Sequence, residues 1–346
     1  MELVSEQSIP IAAERSTRRV ALAVAVCAVA AACLAWVLRH FEWQQFLSDL
    51  AVIEWKWIIP AVFFDVASYL CQGLRWHYVL QPLGAPPVMR ATQAIYVGLF
   101  TNEIIPLRGG EVVRAYMVSR WTGLGMPVVL TSVGVERLLD AIWLALGFGV
   151  TALVVDLPPV VRRGAQALGV FSLVCTVFLV ATLAAGQRLT HALERTRAGR
   201  RGPLAWLLHF IDHLIDGLRQ IGHSASLYRA VGATLLLLVT QILAMWFMML
   251  GYRLHYSFWV ASAVLLILHL GTAIPNAPAN IGSYQVSCVI GLTLFGVDRT
   301  TAAHFSVVSF LILTVPLLVF GFISVLQSGV SLADIRQQVR QKLNSR

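Results

Sequence analysis

Charge is scarce in this chain. Asp, Glu, Lys and Arg together make up 12% of its 346 residues, against about a quarter in an ordinary soluble domain. Hydrophobic residues make up 58%, and the mean hydropathy is +0.75. A soluble globular enzyme is excluded. Cysteine is also sparse. The five cysteines (Cys27, Cys33, Cys71, Cys175, Cys288) all lie in apolar stretches and none forms a C-x-x-C pair, so they read as small apolar residues rather than a disulfide framework or metal ligands. The nine histidines form no H-E-x-x-H or comparable cluster, and no G-x-x-x-x-G-K-[ST] sequence is present. No metal or other cofactor is expected, and any energy for work must come from something other than a nucleotide bound in a P-loop. Strict apolar–polar alternation is missing too: runs such as Val231–Leu250 exclude a transmembrane β-barrel.

What remains is an all-α polytopic membrane protein. The net charge of +9 does not point to nucleic acid, because many of the basic residues fall in loops and tails, where membrane topology alone puts them. Their natural partner is an anionic membrane face.

Residues 1–19 form a polar arm ending in Arg15, Arg18 and Arg19. Val20–Leu38 is an uncharged run close to the ~20 residues a bilayer core requires. Ala28-Val29-Ala30 resembles a signal cleavage site, but the apolar run continues past it to Leu38, which favours an uncleaved anchor. Arg39–Lys56 reads as a short loop, Trp57–Leu80 as the second span, ending at Arg75, Trp76 and His77, and Met126–Val155 as a long span. Ala165–Ala185, Arg229–Gly251 and Ala302–Leu326 complete about six full spans. The basic residues put both termini, the connection 186–228 and the tail 328–346 on the cytoplasmic side of a bacterial inner membrane. Within that connection Leu204, Leu207, Ile211, Leu214, Leu218 and Ile221 recur at helical spacing. That is an amphipathic helix, lying either on the membrane or against the protein itself.

Two segments break the pattern. Residues 91–120 carry Pro106 and Gly109-Gly110 between apolar pieces too short to span, and read as a re-entrant hairpin. Residues 275–283 (Pro275 to Ser283) interrupt the second half, 229–327, as the first hairpin interrupts residues 20–185. Parity makes 257–297 either two full spans or a hairpin dipping from the outer side. In the hairpin case, interrupted segments enter from opposite faces, the layout of an inverted repeat with a substrate site where the breaks meet.

Polar and ionisable residues gather at the first break and in the span Met126–Val155 that follows it. Asn102, Arg108, Glu111, Arg114, Glu136, Arg137 and Asp140 lie where charge is costly and therefore marks function. Glu136 and Asp140 share a helix face, and Arg137 is three residues from Asp140. One carboxylate is left over, for which Arg108 or Arg114 is the natural match. The residues form either one polar cluster or independent local pairs such as Glu111–Arg114. An arginine fork together with broken helix ends suits a lipid phosphate, and acids in the same cavity suit protons or a cationic headgroup. At the second break, Asn280, Tyr284 and Gln285 offer neutral hydrogen-bonding groups for a headgroup or for freed backbone. His269 and His304 read as packed, hydrogen-bonded residues.

The series Asn102, Pro106, Arg108, Gly109, Gly110, Glu111, Arg114, then Glu136, Arg137, Asp140, then Pro278 through Gln285, resembles the flippase-like transmembrane family named for the membrane portion of lysylphosphatidylglycerol synthase. The resemblance covers roughly residues 20–330 and implies an integral inner-membrane protein that moves a lipid or lipid-linked headgroup between leaflets. The family often has an acid where Gln285 stands. The bifunctional synthases also carry a soluble aminoacyl-transfer domain. This chain stops at Arg346 without one, so aminoacyl-lipid synthesis is not expected of it. The expectation is a non-enzymatic lipid flippase whose partner is a membrane lipid with an anionic headgroup. The rivals are an intramembrane headgroup-modifying enzyme and a scaffold for an envelope-lipid synthase.

Overall fold

A computed structural model describes residues 28–39, 42–51, 53–104, 109–155, isolated positions between 159 and 177, 225–273 and 278–329. The arm 1–19, residues 20–27, most of the return span 165–185, the amphipathic stretch 204–221, Arg108, residues 275–277 and the tail from 330 lie outside the described residues. Among the described residues there is no strand. The helices are α1 (Ala28–Leu38), α2 (Trp43–Ala51), α3 (Trp55–Leu80), α4 (Val88–Ile104), α5 (Gly110–Thr122), α6 (Met126–Val154), α7 (Ala225–Gly251), α8 (Phe258–Ala273), α9 (Ser283–Thr293) and α10 (Arg299–Gln327).

Four of these, α3, α6, α7 and α10, are long and apolar enough to cross a membrane. They run 26, 29, 27 and 29 residues, or roughly 40 Å each at 1.5 Å per residue, more than the ~30 Å of a hydrocarbon core. Their outer faces are apolar: Ile59, Phe63, Leu153 and Phe322 are exposed, as lipid-facing positions should be. The other four core helices, α4, α5, α8 and α9, have 17, 13, 16 and 11 residues and occur in pairs around the two breaks.

Each short pair closes on itself through small residues. A Cβ on Gly110 would stand 1.8 Å from the Gly98 carbonyl oxygen, so α4 and α5 touch backbone to backbone. A Cβ on Gly271 would stand 1.8 Å from Ser287 Oγ, and α8 and α9 meet there. Residues 257–297 thus form a hairpin equivalent to 91–120.

The chain order of long, short, short, long occurs twice, in α3–α6 and in α7–α10. The most extensive packing joins α3 to α7. These two are antiparallel: Glu54 N–H, at the start of α3, donates to the Gly251 carbonyl at the end of α7 (3.0 Å). At the other end, the Arg229 guanidinium lies over the Tyr78 ring. Exchanging one set of four for the other maps most of the packing onto itself, the contact of α3 with α6 being the exception. The contact of α4 with α10 corresponds to that of α8 with α6, and the contact of α3 with α10 to that of α7 with α6. Corresponding helices that run antiparallel define an inverted repeat. The helix α4, which leads into the first break, also contacts the short turn Pro278–Asn280 at the second.

One element departs from the sequence reading. The stretch 39–56 is not a plain loop, since it holds α2. That helix is fastened to the bundle through Asp49, whose Oδ2 accepts from the Tyr252 hydroxyl (3.2 Å) and lies 2.7 Å from Nδ1 of His304. Burial, and then the Asp49 carboxylate, push the Tyr252 phenol well above its usual range, so it remains a neutral donor. His304 is fully buried, the packed and hydrogen-bonded histidine expected of it.

Candidate functional site

Polar groups from α3, α5 and α6 converge between the first hairpin and the spans that flank it. Glu136 and Asp140 stand one turn apart on α6 and present their carboxylates to the same side. A single guanidinium bridges that turn. Arg75 of α3 donates through Nε to Glu136 Oε1 (3.2 Å) and through Nη1 to Asp140 Oδ1. On the far side of Glu136, Arg114 Nη1 lies 2.9 Å from Oε2. That contact is an ion pair whose angle falls outside hydrogen-bond geometry, so Oε2 has no hydrogen-bond partner in spite of it. From Asp140 the chain of charges continues: Arg137 Nη1 to Asp140 Oδ2 (3.2 Å) and Arg137 Nη2 to Glu111 Oε1 (3.3 Å).

The network is therefore continuous: Arg114, Glu136, Arg75, Asp140, Arg137, Glu111. Three guanidinium groups face three carboxylates, so it is neutral as a unit. It is also graded. Glu136 is 0% exposed, Arg75 3% and Arg114 5%, whereas the Arg137 side chain is 57% exposed. The inner pairs exist only because each charge meets a partner, and removing one member of such a buried pair costs about 3–5 kcal/mol. The outer Arg137–Glu111 pair is worth about 0–1 kcal/mol.

One donor in the buried end is unused: Arg114 Nη2 is buried and has no hydrogen-bond partner. The same guanidinium lies over the face of Trp76, 4.6 Å from the ring centroid, and Trp76 is held by its Nε1–H donating to Ser132 Oγ (2.9 Å). The close crossing at Gly98 lets Arg114 pass: a Cβ there would lie 3.2 Å from Arg114 Cβ.

Of the residues singled out from the sequence, Glu111, Arg114, Glu136, Arg137 and Asp140 are brought into one cluster rather than into separate local pairs. Arg108 lies outside the described residues, and the leftover carboxylate is matched by Arg75, which the sequence reading took for the topological end of the second span. The signal was there: α3 runs on through Trp76, Tyr78, Val79 and Leu80, so Arg75 lies inside the helix, a full turn before its end. Asn102 is engaged locally, its Oδ1 accepting from Gly110 N–H (2.8 Å) at the start of α5. At the second break Gln285 Oε1 accepts from Gly282 N–H (2.7 Å) and caps α9. Asn280 has φ +53°, and its carbonyl accepts from Ser283 Oγ (3.0 Å). The Tyr284 hydroxyl bonds Ser309 Oγ of α10 (3.3 Å). Near the network, His269 on α8 is within electrostatic reach of Asp140. Among the described residues there is no group of three or more His, Cys, Asp or Glu side chains placed to hold a metal ion.

Fold and site together define a multi-pass helical membrane protein with paired half-helices and a buried ion network between them. The chain belongs to the family described as the lysylphosphatidylglycerol synthase TM region, whose sequence profile matches residues 20–321. It is similar to a UPF0104 membrane protein of Methanothermobacter thermautotrophicus, 24% identical and covering 77% of this chain and 81% of that one. A UPF0104 membrane protein of Methanocaldococcus jannaschii is 20% identical, over 84% of this chain and 90% of its own. The glycosyltransferase AglD of Haloferax volcanii is 22% identical over 96% of this chain, which spans 59% of that protein. No solved structure matches.

Proposed function

We propose that the protein is a flippase that moves a phosphate-bearing lipid, a phospholipid or a polyprenyl-phosphate-linked lipid, between the leaflets of a bacterial inner membrane. The observation that carries this reading is the unused Arg114 Nη2, sealed at the buried end of the network beside Glu136 Oε2, which also lacks a hydrogen-bond partner. A donor left bare at membrane depth is costly, and a headgroup phosphate oxygen is the acceptor that this setting supplies. The layout adds the second support, since paired short helices at corresponding places in two halves are the architecture of midplane substrate sites. Because the three arginines are already matched by three acids, the phosphate has to compete for Arg114 with Glu136 rather than enter a bare cationic pocket. Acyl chains stay in the bilayer, and no covalent step is part of the cycle.

Purification in native-lipid particles, with the bound lipids identified by mass spectrometry, tests the reading. One phosphate-bearing lipid is expected to be enriched in the wild type and lost in Arg114→Ala. A profile equal to that of the bulk membrane in both samples would count against a headgroup site and favour the scaffold for an envelope-lipid synthase. The similarity to a protein named a glycosyltransferase supports a second reading, an enzyme acting on lipid headgroups within the membrane. Covalently altered lipid in extracts of overexpressing cells would bring that reading forward.

A further inference from the structure

A second polar group lies on the same spans and takes no part in the arginine network. Asp65 sits on α3, ten residues before Arg75 and thus roughly 15 Å from it along the helix. Glu103 sits in the last turn of α4, at the edge of the first break. One carboxylate oxygen of each, Asp65 Oδ2 and Glu103 Oε2, is buried and has no hydrogen-bond partner. Both acids are within electrostatic reach of the Tyr69 phenol, as are Tyr96 of α4 and Tyr284 of α9. Tyr69 and Tyr96 are in ring contact (5.3 Å between centroids).

No positive charge answers these acids among the described residues. The helix α5, packed on α4, carries Glu111 and Arg114 of the arginine network, then Tyr116, and Arg120 in its last turn; α7 has no ionisable side chain between Arg229 and Gly251, and α10 has only His304 after Arg299, which is paired with Asp49. On α9 the titratable groups are Tyr284 and Cys288, and on α6 Glu136, Arg137 and Asp140 belong to the arginine network. A carboxylate whose oxygen is sealed from water and unpartnered cannot hold its charge there without a large desolvation cost. It takes up a cation, and the smallest and cheapest is a proton.

We propose that Asp65 and Glu103, with the phenols of Tyr69, Tyr96 and Tyr284, form a proton-binding site between α3, α4 and α9, separate from the arginine network. The step is one proton transfer from water to a carboxylate, giving a neutral carboxylic acid, and its reverse on the other side. Nothing is oxidised or reduced. The acids stand on α3 and α4 and the third phenol on α9 of the second repeat, so loading and unloading alter the contact between the repeats. The use of this site to drive lipid movement rests on the flippase reading. The proton binding itself does not.

The test is infrared difference spectroscopy between acidic and alkaline buffer, on protein reconstituted in phosphatidylglycerol–phosphatidylethanolamine vesicles. Wild type is expected to show the carbonyl band of a protonated carboxylic acid that disappears at high pH. The band should be lost in Asp65→Asn with Glu103→Gln and retained in Arg114→Ala. Asn and Gln copy the neutral acid in shape, so these variants should elute and melt like wild type, which separates loss of the site from loss of the fold. A band that is missing in wild type, that survives in the double variant, or that follows sodium rather than pH would overturn the proposal. Lipid movement that persists without the band would overturn it while leaving the flippase reading intact. The band without lipid movement would leave the proton site standing and remove the flippase reading.

Discussion

Glu136 is the residue on which the site turns, because it is fully buried and answers two guanidinium groups at once. Glu136→Gln should destabilise the folded protein by about 3–5 kcal/mol, since Arg75 and Arg114 would be left in a low-dielectric interior without their common partner. Denaturation of the purified protein in detergent reads this directly, and a wild-type midpoint would contradict it. Arg137→Ala should cost no more than about 1 kcal/mol in the same measurement, its side chain being 57% exposed and its pairs screened. Five members of this network were legible in the sequence for a physical reason: ionisable residues at membrane depth need one another, so Glu111, Arg114, Glu136, Arg137 and Asp140 announce a cluster by being there at all. Arg75 was not, because the preference for positive charge at the cytoplasmic end of a span already accounted for it. Asn102 and Gln285 show the converse. Both stood out as polar groups at a break, and both spend their side-chain oxygens on the backbone N–H groups that the break had freed.

Helix length and breaks carry the information at the scale of elements. The Pro and Gly residues near 106–110 and 275–282 mark where the short helices stop, and the paired lengths of α4, α5, α8 and α9 follow. The sequence could not show how tightly each hairpin shuts, which depends on which two small residues face each other. Gly109 and Gly110 make the point. A Cβ on Gly109 meets nothing within 4 Å, whereas one on Gly110 meets the Gly98 oxygen at 1.8 Å. Gly109→Ala should therefore leave stability unchanged to within about 0.5 kcal/mol. Gly110→Ala should force α4 and α5 apart at a cost of about 1–3 kcal/mol or more. Thermal unfolding of the two variants side by side checks the contrast, and equal behaviour would mean that the hairpin is not closed here. The helix α2 was hidden for a different reason: it is short and polar on one side, and its hold on the bundle comes from Asp49, Tyr252 and His304, far apart in sequence.

The described helices α3–α10 form an inverted repeat without residue-level repetition. Shape is shared between the halves while charge is not, since the arginine network belongs to α3, α5 and α6 alone. The symmetry was legible as a layout, in two breaks placed alike in two halves, and became visible as structure only through which helices pack together. The antiparallel α3–α7 pair is the most extensive contact between the halves, and α4 packs against α10 as α8 packs against α6. If lipid passes by movement of one repeat against the other, fixing α4 to α10 should stop it. Phe100 and Gly321 are in direct contact across that seam. A disulfide formed between cysteines placed at these two positions should block transport, and reduction should restore it, while Phe100→Cys alone stays active.

The account stands or falls on whether a phosphate-bearing lipid changes leaflets. Vesicles of bacterial lipid carrying fluorescent headgroup-labelled phosphatidylglycerol, quenched from outside by a reductant that does not cross the bilayer, measure this directly. Wild-type protein should expose inner-leaflet probe that stays protected in protein-free vesicles, and Arg114→Ala should slow that exposure at least tenfold. Quenching no greater than in protein-free vesicles, or equal in wild type and Arg114→Ala, would contradict it.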